Sequence, residues 1–304
     1  MAEQRREIFA DNSSQVAAKK FMPFCESRGA FLREQEMKEI DTKRLKEIQI
    51  EIVDAVMKFC DENGIKCWLN GGTLLGAVRH KGYIPWDDDI DLGMLRPDYD
   101  KFMEIFNTKN DRYKFVSAEN DAESFEWFGK VFDTSTILYE PDEKGERLSV
   151  YVDIFVMDNA PIDEREQARM FRKRDIYFVC NLGRKLPVFL RPTRGGLLRR
   201  LAVYGFRAVL RIFPRHYFVR ELVRNAKKFS GTDTGLVGDF TGLRDAVCRR
   251  EILEEMTELE FEGKKYNAPK GYDEWLRRLY GDYMKLPPES ERVSTHVFKA
   301  YERD

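Results

Sequence analysis

The segment Trp86-Asp87-Asp88-Asp89-Ile90-Asp91-Leu92-Gly93 sets carboxylates among apolar residues. Read as a β-strand, it puts Asp89 and Asp91 on one face and Ile90 and Leu92 on the other. Two neighbouring carboxylates repel each other, so the pair calls for a cation. A hard, oxygen-only ligand set suits Mg²⁺, with Mn²⁺ as the alternative, bridging the phosphates of a nucleotide. Such an ion stabilises the charge that develops during phosphoryl transfer. A further acid stands alone in the apolar run Val150-Tyr151-Val152-Asp153-Ile154-Phe155. Burying an acid without a partner is costly, so Asp153 is expected to complete the metal site or to take the proton of an acceptor hydroxyl. An acidic run alone is equally consistent with a solvated turn. Gly71-Gly72, upstream at a strand-to-helix turn, favours the functional reading, because backbone N–H groups and a helix N-terminus there can hold a phosphate.

These residues need elements to position them. Leu45, Ile48, Ile52, Val56 and Phe59 recur at spacings of three and four, which predicts an amphipathic helix from Asp41, its N-cap, to Asn63, with Gly64 as the stop. Ile65 to Leu69 reads as a strand running into Asn70-Gly71-Gly72-Thr73, and Leu74 to Val78 as a short helix. Pro97 opens a helix through Phe106. Strands are expected at 113–117, 126–133, 136–140 and 148–157. The fold class is therefore α/β (α+β): a mixed sheet flanked by helices over 35–160, preceded by a polar segment, 1–34. The later half reads as mostly helical, with 161–240 as a basic helical region and 241–304 as a closing segment of the catalytic domain.

The composition, 42% hydrophobic and 35% charged in 304 residues, is that of a globular protein. The N-terminus lacks the apolar core of a secretory signal and no run approaches about 18 apolar residues, so the expected location is cytoplasmic. Cys25, Cys60, Cys67, Cys180 and Cys248 lie far apart in sequence and read as reduced and structural. Net charge is −1, yet thirteen basic residues face one acid, Glu221, between Arg184 and Lys228. In that stretch Arg199, Arg200, Arg207 and Arg211 share one side of a helix, opposite Leu198, Leu201, Phe206, Val209, Ile212 and Phe213. The helix could lie on the inner face of an anionic membrane, attract an anionic glycan, or cover its own domain with its apolar side. Nucleic acid is not expected, because the rest of the chain is acidic and no reading motif is present.

Arg79, His80 and Lys81 could neutralise a diphosphate, or form a plain solvated loop. Tyr83, Trp86 and Trp127 could cage a quaternary ammonium group, or pack in the core. Tyr280-Gly281-Asp282-Tyr283-Met284, followed by Pro287-Pro288, reads as a helix end and a rigid exit. Asp282 and His296 are pocket candidates that chemistry alone does not single out.

The string NGGTLLGAVRHKGYIPWDDDIDLGM, residues 70–94, resembles the LicD family of phosphocholine transferases, relatives of the fukutin group within the nucleotidyltransferase superfamily. FEGKKYNAPKGYDEWLRRLYGDYMKLPP, residues 261–288, resembles the closing motif of the same family, so the resemblance brackets residues from about 35 to 298. It implies that Asp89 and Asp91 bind Mg²⁺, that Gly71, Gly72 and Thr73 line the donor phosphates, that Asp153 is the third carboxylate, and that the tail closes over the site. It also implies transfer of phosphocholine from CDP-choline to a cell-surface glycan of lipopolysaccharide or teichoic-acid type, with release of CMP. No shared motif is evident between about 160 and 240, where acceptor choice would reside. Some fukutin relatives transfer ribitol phosphate from CDP-ribitol, so the head group stays open. Two rivals remain: a nucleotidyltransferase that leaves a nucleoside monophosphate on its acceptor, and a non-catalytic membrane-associated scaffold on the same fold.

Overall fold

The computed structural model describes residues 38–139, 147–188, 196–242, 245–292 and 299–302. The polar segment 1–34, Cys25 and His296 lie outside the described residues. After β1 (Lys38–Ile40), α1 (Thr42–Glu62) starts where its cap requires: the Asp41 carboxylate accepts the Arg44 N–H at 2.8 Å. Its periodic residues Leu45, Ile48, Ile52 and Val56 are buried to 1% exposure or less. Gly64, just past the end of the helix, takes a left-handed φ of 61°.

The next elements shift slightly from the sequence expectation. β2 (Trp68–Leu69) is shorter than the predicted strand. α2 (Gly71–His80) begins at the glycine pair, so Gly71-Gly72 is its first turn and no separate loop precedes it. β3 (Asp91–Leu95) is followed by α3 (Arg96–Lys109), with Pro97 in its first turn. β4 (Tyr113–Val116), β5 (Gly129–Asp133), β6 (Thr136–Tyr139), β7 (Arg147–Leu148) and β8 (Tyr151–Asn159) complete the first half. The basic region supplies α4 (Glu164–Lys185), α5 (Leu197–Leu210) and α6 (Tyr217–Ala226). β9 (Leu236–Gly238), β10 (Val247–Arg249), α7 (Glu251–Glu254), β11 (Met256–Phe261), β12 (Lys264–Pro269), α8 (Tyr272–Tyr280) and β13 (Lys299–Glu302) follow.

The protein has the mixed α+β architecture expected, built on a curled sheet with β8 at its centre. β8 runs parallel to β3 and antiparallel to β5 and β9, which carry β4 and β10; β2 pairs with β3. A second antiparallel sheet orders β1, β13, β6 and β7, and β11–β12 form a hairpin. Val152, Ile154 and Val156 of β8 are fully buried in the core. Strand alternation turns Tyr151, Asp153 and Phe155 to the opposite face.

A buried ion network locks the sheet to its surroundings. Arg96 at the start of α3 donates to both carboxylate oxygens of Asp158 on β8, at 2.7 and 2.8 Å, and to Glu119 at 2.9 Å. Lys227 reaches the other oxygen of Glu119 at 2.8 Å, tying in the turn after α6. Removing one member of such a network leaves a buried charge uncompensated, which costs about 3–5 kcal/mol. Cys60, Cys67, Cys180 and Cys248 are free thiols.

The basic helix sits the other way round from one sequence expectation. Arg207 is 8% exposed and donates to the Pro187 carbonyl; Arg211 donates to the carbonyls of Arg184 and Leu186. Arg211 therefore serves the unsatisfied carbonyls and negative dipole end of α4, Arg207 holds the Pro187 carbonyl just beyond it, and neither faces outward with Arg199. Gly183 gives α5 its close approach, since a Cβ there would stand 2.7 Å from Leu210. The apolar side is the exposed one, with Leu198 at 84%, Ile212 at 81%, Leu197 at 63% and Leu201 at 57%.

Candidate active site

Local chain geometry collects the acids at one corner of the sheet. The parallel register sets Asp91 of β3 opposite Asp153 of β8, so both side chains share a face. Asp89 is half-buried in the segment before β3 and does not lie on a strand; strand alternation therefore does not extend back to it. Its charge still acts on both Asp91 and Asp153. Asp87, which the sequence reading did not single out, joins them. After α2 the chain doubles back along the helix, and a Cβ on Gly76 would come within 2.4 Å of the Gly82 carbonyl. This return path brings the Asp87 carboxylate to within 2.8 Å of where a Gly72 Cβ would stand.

The first turn of α2 is thus shaped around carboxylates. Gly71 has φ of 51°, and a Cβ there would sit 2.4 Å from Asp91 Oδ2. Gly72 N–H donates to that oxygen at 3.2 Å, where the positive end of the helix favours the anion. Thr73 is buried, and its hydroxyl accepts the Asp91 N–H at 2.8 Å. Asn70 N–H donates to the Asp91 carbonyl, and its side chain accepts from Trp275 of α8 at 3.0 Å. Asn70, Gly72 and Thr73 therefore set the position of Asp91, and Gly71 leaves it room.

Crowding like charges in a largely buried corner pushes the acids up. Burial, then the charge and hydrogen bond of Asp89, raise Asp87 to about 8. Burial and the charges of Asp89, Asp153 and Asp87 hold Asp91 well above the usual carboxylate range. Burial raises Asp153 to about 6, against the opposing pull of Lys130, whose ammonium donates to Asp153 Oδ1 at 2.6 Å. Burial disfavours the charge of Lys130, but Asp153, Tyr151 and Glu126 outweigh it and raise its pKa. Lys130 was legible in principle as the lone charge of Gly129-Lys130-Val131-Phe132, the counterpart of lone Asp153.

The other candidates are spread round this corner. Arg79, His80 and Lys81 lie at the far end of α2, about 10–14 Å along the axis from Gly72 at about 1.5 Å per residue. Arg79 donates to His80 Nδ1 at 3.4 Å and to the Tyr283 carbonyl at 2.8 Å. His80 lies edge-on to Trp86 at 6.3 Å, and Arg292 stands 5.7 Å from the Trp86 ring. Burial lowers the pKa of both Arg79 and His80, and the charge of a neighbouring arginine adds to it in each case. These groups form a cationic corner beside an indole. Lys81 is exposed and caps α2 in a left-handed conformation, its carbonyl accepting the Glu262 N–H.

Tyr83, Trp86 and Trp127 are not assembled into one cage. The Tyr83 ring packs on Phe261 at 5.1 Å, its hydroxyl donates to Gln49, and Lys46 sits over its face. Trp127 packs against Phe128 and Phe178, with its N–H on the Thr241 carbonyl at 2.8 Å. Asp282 is exposed in the turn after α8; it is the next residue, Tyr283, that holds Arg79.

Among the described residues no three metal-type side chains converge in a ready-made cage, since Asp91 is turned to Gly72 and Asp153 to Lys130. The donor set and charge nevertheless fit a hard divalent cation: carboxylate oxygens whose mutual repulsion a cation relieves.

Residues 64–181 match the family model described as "LicD/FKTN/FKRP, nucleotidyltransferase domain". Over 275 residues, 87% of the chain, the sequence is 30% identical to the lipopolysaccharide cholinephosphotransferase LicD of Haemophilus influenzae, covering 99% of that protein. A shorter stretch of 35 residues is 57% identical to the ribitol 5-phosphate transferase FKRP of Homo sapiens, covering 12% of the chain and 7% of that protein.

The raised acids set a pH dependence. The folded state holds protons on Asp87, Asp91 and Asp153 that the unfolded chain, with ordinary carboxylates, has already released. Their contribution to stability is greatest at low pH and is lost as pH rises through the folded-state values. With EDTA present, the melting temperature should therefore fall between about pH 5 and about pH 9, and Asp87→Asn should flatten that fall. A slope identical in wild type and variant would contradict the shared-charge arrangement.

Proposed function

The chain belongs to the LicD family and is a phosphotransferase enzyme, and from that premise we propose that it moves phosphocholine, or a similar alcohol phosphate, from a CDP-linked donor to a glycan hydroxyl with release of CMP. The observation that carries this reading is the juxtaposition of Asp87 and Asp91 against the first turn of α2, with Asp153 in register beside Asp91 and the charge of Asp89 acting on both Asp91 and Asp153. Mg²⁺, which Asp89, Asp91 and Asp153 would hold together with Asp87, would supply charge neutralisation for a diphosphate.

The chain's own groups divide the remaining tasks. Gly72 and Thr73 fix Asp91 by its carboxylate and its N–H. Lys130 holds Asp153 Oδ1, and an acid with a pKa of about 6 can take the proton of an incoming hydroxyl near neutral pH. Arg79 and Arg292 around Trp86 supply positive charge for the anionic nucleotide that leaves, with the neutral His80 ring between them as a hydrogen-bonding group. The head group is that of the LicD relative in the primary reading, and the FKRP similarity keeps ribitol phosphate as its alternative.

The acceptor reading includes a surface. No described helix is long and apolar enough to cross a membrane. The exposed Leu197, Leu198, Leu201, Val209 and Ile212, flanked by exposed Arg199, Arg215 and Arg220, suit a helix that lies in the interface of an anionic bilayer, where a lipid-linked acceptor is held.

Two experiments test these assignments. Incubation with CDP-choline, Mg²⁺ and lipopolysaccharide oligosaccharide, followed by ³¹P NMR, should yield CMP and a phosphodiester-linked glycan, and Asp89→Asn should cut the rate at least about 100-fold. Pyrophosphate released from CTP would support nucleotidyl transfer instead, and full turnover by Asp89→Asn would remove the metal assignment. In flotation with phosphatidylglycerol vesicles, the protein should bind and Leu198→Glu or Ile212→Glu should detach it. Equal binding by both variants would refute the interfacial helix.

A further inference from the structure

The sheet face that carries Asp91 and Asp153 continues away from α2 as a line of rings. Lys130 Nζ stands 3.8 Å from the Tyr151 ring centroid, and the Tyr151 ring is 5.7 Å from Phe132. Phe132 in turn lines a cleft of about 320 Å³, near the lower end of small-molecule sites at roughly 300–1,000 Å³. Ser149 shares the floor, and the walls come from Phe125, Glu126, Lys185 at the end of α4, and Arg215 beyond α5. Glu126 belongs to the cleft and to the catalytic corner alike, because its charge is felt at both Asp153 and Lys130.

The lining selects among the ligands of a transferase. Glu126 and Lys185 stand 3.5 Å apart, and Arg215 lies 3.7 Å from Glu123 and 5.4 Å from the Phe125 ring. Ring faces beside paired donors and acceptors suit a polyhydroxylated ring: its C–H face packs on Phe125 and Phe132 while its hydroxyls bridge the charged groups. A quaternary ammonium group has no N–H to donate and no acceptor, so it would leave the donors and acceptors of the lining, Asp121, Glu123 and Glu126 beside Lys185 and Arg215, unmatched. An uncharged sugar carries hydroxyls that donate to these carboxylates and accept from these cations.

We propose that this cleft is the subsite for the acceptor sugar, with Glu126 and Lys185 fixing its hydroxyls so that one of them is directed toward Asp153. The proposal rests on the transferase reading above and adds where, and through which residues, the acceptor is chosen. It also accounts for the joint use of α4 and α5. The same end of α4 that supplies Lys185 is held by Arg207 and Arg211 from the helix with the exposed apolar side, so an acceptor anchored in a bilayer is met beside the cleft.

Two readouts on the full chain test it. Saturation-transfer difference NMR with deacylated lipopolysaccharide oligosaccharide reports sugar contact without turnover, and kinetics at saturating CDP-choline report the acceptor KM. Lys185→Gln and Glu126→Gln should each weaken the NMR signal and raise the acceptor KM by about tenfold, the loss of one charge-assisted hydrogen bond. The preference for CDP-choline over CDP-ribitol should stay as in wild type. Phe132→Leu, which keeps an apolar side chain, serves as a third variant. An unchanged acceptor KM with altered donor preference would make the cleft a head-group pocket and overturn the proposal, as would the absence of any sugar signal in wild type. If wild type turns over no donor, the transferase reading fails, while the NMR signal and its loss in Lys185→Gln still decide the cleft.

Discussion

Like charges held close together are the constraint on which this site depends. Asp87, Asp89, Asp91 and Asp153 meet in one corner, and nearly every neighbouring feature acts to keep them there. The glycine turn gives the carboxylates room, since a side chain at Gly71 or Gly72 would collide with Asp91 or Asp87. The N-terminus of α2 offers a backbone donor, and Lys130 places an ammonium against Asp153. The parallel pairing of β3 and β8 makes two of the acids immediate neighbours. These partners do not cancel the repulsion, because Asp87, Asp91 and Asp153 all remain above their ordinary pKa. That residual repulsion is what the proposed cation would relieve.

Much of this corner was legible in the sequence because it depends on local signals. Asp41 and Gly64 bound α1, Pro97 opens α3, and lone Asp153 in an apolar strand stood out as an acid that needed a reason to be there. The glycine pair beside Asp-x-Asp pointed to the right elements. What escaped depends on the path of the chain through space. Asp87 counts as a neighbour only because the loop after α2 folds back along the helix, which no periodicity reveals. Lys130 and Asp153 lie on strands separated by β6 and β7, and only the register of β5 on β8 brings them to 2.6 Å. For α5, helical arithmetic set Arg207 and Arg211 apart from the exposed Leu198, Leu201, Val209 and Ile212, but it grouped the exposed Arg199 with those two arginines. It could not say which face the protein would cover, and the open carbonyls at the end of α4 and just beyond it drew Arg207 and Arg211 inward.

The arrangement also links the two halves of the chain. The first half supplies the acids and the sheet, while the basic region supplies Lys185, Arg215 and an exposed apolar helix around a cleft on the same sheet face. In the proposed reading, donor chemistry and acceptor choice fall to different elements that meet at Glu126 and Asp153.

The central claim is that the acids act together as a cation site for a CDP-linked donor, and calorimetric titration of Mg²⁺ in the presence and absence of CDP-choline tests it most directly. The account predicts Mg²⁺ binding that tightens with the donor, proton release that reflects the raised acids, and loss of both in Asp91→Asn. Mg²⁺ binding that is unchanged in Asp91→Asn, or a donor that binds equally well in EDTA, would contradict it.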